Sequence, residues 1–112
     1  MAESVRVLLA KIQNELLAGD VSPARSRDLL MRSTALIGNC GAEVVAAEAS
    51  FAVVLLAHVD AVGHVSQARV RAAVTPEAQR VHAARGAKEL AVELTRSLKA
   101  ALRSLEEEMR LS

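Results

Sequence analysis

The chain of 112 residues has almost no aromatic side chains: Phe51 is the only one, and Trp and Tyr do not occur. Base stacking and large ligand pockets draw heavily on aromatics, so this composition speaks against both. The one cysteine, Cys40, cannot form an internal disulfide, and nothing indicates an oxidising compartment. The first residues, Met1-Ala-Glu-Ser-Val-Arg6, hold neither an apolar core nor a small-residue cleavage site, so no secretory leader is expected. The apolar run from Val44 to Ala57 is punctuated by Glu43, Glu48, His58 and Asp60. A bilayer span needs about 20 apolar residues. The run therefore reads as a buried helix in a soluble cytoplasmic protein with no membrane partner.

Charge of one sign is also missing overall, with 14 Lys and Arg against 13 Asp and Glu. No global basicity points to nucleic acid. The signs are nevertheless segregated. Residues 34–65 contain Glu43, Glu48 and Asp60 but no Lys or Arg, whereas residues 66–103 carry eight basic residues against three acidic ones.

What remains is Ala, Val and Leu at helical spacing. Val5, Leu8, Leu9, Ile12 and Leu16 form one stripe, predicting a first helix over about 3–18, ended by Gly19-Asp20. Ser22-Pro23 opens a second helix, over about 22–62, with Ser22 as cap and Pro23 in the first turn. Leu30, Ile37, Val44, Phe51 and His58 recur every seven residues, and Ser33, Cys40, Ala47 and Val54 fall at the complementary positions. Gly38 and Gly41 each cost about 1 kcal/mol in a helix interior. They mark either a break or a continuous helix with a neighbour packed closely against them, and the second is preferred. Ser66 is the expected cap of a short helix over about 67–74. Thr75-Pro76 then starts a last helix, over about 76–110, whose stripe runs Ala84, Ala87, Ala91, Leu94, Leu98, Leu102 and Leu105.

These elements make one all-α domain: a long antiparallel hairpin with a shorter N-terminal helix. A fold-back centred near residue 69 would set Glu48 level with Lys88 and Asp60 with Arg80. Between Val44 and Ala57 the second helix is apolar nearly all round, and such a helix must be covered on several sides. A homo-oligomer completing the bundle is expected, with Val44, Phe51, Val54, Leu55 and His58 as its interface.

Catalytic signals are weak. His58 and Asp60 point to different faces of a helix, and neither a Glu-x-x-His nor a Cys-x-x-Cys pair occurs. His58 is read as a packed or axial residue, and Cys40 as an inert core thiol. Gly38-Asn-Cys-Gly41 lacks the Lys-Ser/Thr of a phosphate loop. Glu106, Glu107 and Glu108 point three ways from a helix and read as a solvated end. No enzyme, metal or cofactor is expected. The suggestive feature is a basic face on the last helix, Arg85, Arg96, Lys99 and Arg103. Such a face can hold phosphates without reading bases, although Glu89 and Glu93 dilute it.

The last helix also carries a resemblance. Thr75-Pro76-Glu77, an Ala-rich stretch with Ala83, Ala84, Ala87 and Lys88, and Ser97-Leu-Lys-Ala-Ala-Leu-Arg-Ser-Leu-Glu-Glu-Glu108 resemble small helical accessory proteins of tailed bacteriophages, over about the last 45 residues. The resemblance implies an oligomeric, non-enzymatic accessory or interaction protein in the host cytoplasm, with itself or another protein as partner. Some members of that group look like recombination mediators that load a recombinase on single-stranded DNA, which supplies the alternative function. No catalytic residues carry over.

Overall fold

The computed structural model describes residues 4–19 and 22–111, and every regular element among them is an α-helix. These are α1 (Val5–Leu17), α2 (Pro23–Val62), α3 (Val65–Ala72) and α4 (Pro76–Leu111). Glu3 and Asp20, which the expected boundaries include, lie outside the described residues. The boundaries follow the capping chemistry. Ser4 Oγ accepts from Val7 N–H at 3.3 Å, and Ser22 Oγ accepts from Arg25 N–H at 3.1 Å. Thr75 Oγ1 accepts from Ala78 N–H at 3.3 Å and donates to the Ala72 carbonyl at 2.6 Å. One threonine thus closes α3 and opens α4. At the end of α2, Gly63 takes the left-handed conformation (φ +79°) that a residue without Cβ adopts at no cost. The short helix begins two residues earlier than expected, with His64 rather than Ser66 at its cap and no side-chain hydrogen bond there.

α2 and α4 pack antiparallel along most of their length. Cross-links mark the seam in order: Arg27 with Glu106 (3.2 Å), Ser33 with Thr95 (3.0 Å), Glu48 with Arg85 (2.8 Å). Small side chains line it. Ser33, Cys40 and Ala47 of α2 are buried against α4, whose Ala84, Ala91, Thr95 and Leu98 are buried in turn. The hydroxyls of Ser33 and Thr95 meet inside the seam, each also within reach of a carbonyl of its own helix, so no buried polar side-chain atom among the described residues lacks a partner.

The register differs from the expected one by about one turn at Glu48 and about three at Arg80. Glu48 meets Arg85 rather than Lys88, and Arg80 is held by Glu43 (2.8 Å) and Ser50 (3.2 Å) rather than by Asp60. The cause is α3. Its eight residues fold back along the end of α2 and occupy the last turns that α4 would otherwise have covered.

α1 lies in one of the two grooves between α2 and α4. Its Leu9 and Ile12 enter the main core with Leu29, Leu36, Cys40, Ala91, Leu94 and Leu98. Val5, Leu8 and Leu16 pack on the margin of that core, as their spacing predicts. At the turn, Arg25 clamps Glu15 in bidentate fashion, Nε to Oε1 at 2.5 Å and Nη2 to Oε2 at 2.9 Å. Arg25 also reaches Asp28 at 2.6 Å. Beyond α1's reach the core thins to Ala47, Val81 and Ala84, with Val44 and Phe51 beside them. The result is a rod of 69 × 30 × 19 Å with a radius of gyration of 19.3 Å, against about 13 Å for a compact domain near this size.

Two expected outcomes follow from this packing. Leu98 is fully buried where three helices meet; Leu98→Ala should cost about 3 kcal/mol and lower the thermal midpoint by roughly 15 °C, read by circular dichroism. The second concerns acid. The Arg25 hydrogen bond holds the Glu15 carboxyl below the usual glutamate value of 4.5. A depressed carboxylate stabilises the fold above its ordinary value, and that contribution disappears as pH falls through the lowered one. The melting temperature should therefore drop below about pH 4.5, and Glu15→Gln should flatten part of that drop; identical pH profiles would contradict the assignment.

Candidate interaction surfaces

The groove that α1 leaves empty is lined by Val44 and Glu48 of α2 and by Arg85, Lys88, Val92 and Arg96 of α4, with Glu89 and Glu93 beside them, and encloses about 550 Å³. Arg85 and Arg96 therefore do share one surface. Lys99 and Arg103 follow Arg96 at steps of three and seven residues and extend the same face, which runs about 27 Å from Arg85 to Arg103. The four are not equivalent. Arg85 is engaged: its Nε (3.2 Å) and Nη2 (2.8 Å) both donate to Glu48 Oε1. Arg96, Lys99 and Arg103 are exposed and make no ion pair or side-chain hydrogen bond among the described residues. Unpaired positive charge among the described residues thus runs from Lys88 and Arg96 in the groove toward the C-terminal half of α4, and three carboxylates share the groove with it.

The residues expected at an oligomer interface are each partly covered within the single chain. Val44 and Phe51 are half-buried inside the hairpin, packed against Ala47, Val81 and Ala84. Val54, Leu55 and His58 are half-buried as well. The surface left open is on the opposite side of α2. Between Val44 and Ala57 only Ala47 is fully buried within the single chain. Val45 and Val53 are each 68 % exposed and Leu56 64 %. By length and composition α2 is also apolar enough to cross a membrane.

Gly38 and Gly41 lie in a continuous helix, but the neighbour expected against them is missing: a Cβ at either would meet nothing within 4 Å. The sequence did contain the signal for this face, because Val45, Ala49, Ala52, Val53 and Leu56 occupy the positions that the first heptad stripe leaves.

Comparison with family models, curated proteins and solved structures finds no match. The surfaces are therefore read on their chemistry alone. No group of three or more His, Cys, Asp or Glu converges among the described residues. Cys40 is buried, and that burial raises its thiol pKa against the opposing charge of Lys88, which disfavours the reactive thiolate. A second concavity, of about 420 Å³, opens between α1 and the first half of α2, with Leu8, Ile12, Leu29, Ala35 and Leu36 at its wall and Lys11, Glu15, Arg25 and Arg32 at its rim.

Proposed function

We propose that the protein is a non-enzymatic helical interaction module that assembles with itself through the open apolar side of α2. Its role would be that of an accessory protein of the kind tailed bacteriophages encode, acting in the host cytoplasm. One observation carries this reading: a stretch of α2 that is apolar nearly all round is covered on one side only. Apolar patches of that extent on a monomer mark interaction sites. Self-association covers the patch without calling on any other component.

The expected outcome is a defined dimer or larger oligomer by size-exclusion chromatography with light scattering at tens of micromolar. Val45→Glu together with Val53→Glu should yield a folded monomer, since both side chains are already in solvent. A wild-type protein that is monomeric, or that is monomeric and sediments with liposomes, would overturn the reading.

A second reading, a mediator that binds single-stranded nucleic acid, is favoured by the uncommitted cations Arg96, Lys99 and Arg103. Fluorescence anisotropy with a labelled single-stranded oligonucleotide would test it. About three phosphate contacts predict that affinity falls with salt at a log–log slope of about −2, and that Arg96→Glu with Lys99→Glu abolishes binding. Binding that survives the double reversal would move the contact elsewhere.

A further inference from the structure

The open side of α2 has a repeat of its own. Met31, Gly38, Val45 and Ala52 recur every seven residues. Ala35, Ala42, Ala49 and Leu56 recur between them, so the whole alternates steps of four and three. That is the spacing with which one helix faces another along a left-handed coiled seam. All eight positions are exposed, Met31 at 74 %, and they run about 38 Å along the helix. No charged residue falls on the line. It is thus a complete helix-packing seam without a helix on it.

We infer that the occupant is the same seam of a second copy, packed antiparallel, with Met31 of one chain level with Leu56 of the other. The inference rests on the self-association proposed above and adds its orientation and register. Charge sets the orientation. The first third of α2 carries Arg25, Arg27 and Arg32 against Asp28 alone, and the remainder carries Glu43, Glu48 and Asp60 with no Lys or Arg. A parallel pair would set like beside like throughout; in the antiparallel pair Asp60 of each α2 falls level with Arg27 of the other, and only Glu43, at the centre, stays beside its own kind.

Size sets the register. With Met31 level with Leu56, Ala35 falls level with Ala52, Gly38 with Ala49 and Ala42 with Val45. The middle of the seam then holds Gly, Ala and Val, with nothing bulkier than Val45, and the two backbones can approach closely. Gly38, beside which a Cβ would meet nothing in the single chain, gains a neighbour. The larger side chains go to the ends, and each end is built to receive them. The cleft between α1 and α2 has Ala35 in its wall, so Val53 and Leu56 of the second copy arrive beside an apolar concavity. In exchange, each α1 comes alongside the half of the other chain's α2 that its own α1 does not reach.

Cysteine cross-linking reads the register directly, because a disulfide needs Cα atoms within about 7 Å. Met31→Cys and Leu56→Cys would be made separately in the chain that keeps Cys40, whose buried thiol gives the control. Mild oxidation should leave each variant alone unlinked and should link a one-to-one mixture of the two. Gly38→Leu adds a second readout. It should raise the helix content and melting temperature of the dilute chain, while weakening the dimer at least about tenfold by analytical ultracentrifugation.

A light-scattering dimer in which Met31→Cys or Leu56→Cys links to itself would overturn the antiparallel register and leave self-association standing. So would an assembly in which no bridge forms and Gly38→Leu changes nothing. A monomer at all concentrations would overturn both readings.

Discussion

The two long helices are held together by a seam of small side chains, and the shape of the molecule follows from how little such a seam can bury. Ala47, Ala84 and Ala91 with Ser33 and Thr95 let α2 and α4 approach closely, which gains dispersion contacts and satisfies the two hydroxyls. Alanine contributes little apolar area at roughly 25 cal/mol per Å². The hairpin therefore needs the leucine-rich cluster that α1 completes at one end, where Leu9, Leu29, Leu94 and Leu98 supply the bulk. The remaining length is two helices side by side, flanked by solvent and, at the turn, by α3.

This division explains where the charged surfaces lie. One groove of the hairpin is taken by α1; the other is open, and α4 presents its arginines and lysines along it. Glu43 and Glu48 reach across from α2 to Arg80 and Arg85, surface pairs of the kind that set register more than they add stability. The cations farther along α4 find no such partner, because Asp28, the one acid of α2 at that level, is taken by Arg25 and Arg32. A basic face thus arises from the segregation of charge along the chain and from the direction in which the chain folds back.

Much of this was legible in the sequence. Ser22-Pro23 and Thr75-Pro76 mark helix starts by local chemistry that tertiary structure does not override, and the stripes of α1 and α4 each have a single apolar side. Two things were not legible. The register of the hairpin depends on α3 folding along α2, which is decided by contacts distant from the turn. The covered side of α2 was ambiguous for a different reason. Ile37, Val44 and Phe51 repeat every seven residues, and so do Gly38, Val45 and Ala52 one position later. Periodicity alone does not say which of two adjacent apolar repeats meets α4. The bulkier one does, and the smaller one is left outside. The basic face was legible as a face, but the loss of Arg85 to Glu48 was not, since it requires the register.

The unequal core gives the rod a gradient of mechanical strength. Local opening in proteins begins where few apolar contacts hold the backbone, which here is the α3 end. There, α2 beyond Phe51 has half-buried side chains at best and α3 buries only Ala68 and Ala72. The leucine-packed end would stay closed while the other frays and re-forms. Anything that binds along the outer side of α2 would add contacts mainly to the weaker half, so occupancy would be felt first as a slowing of amide exchange there, and only secondarily as a rise in the stability of the whole.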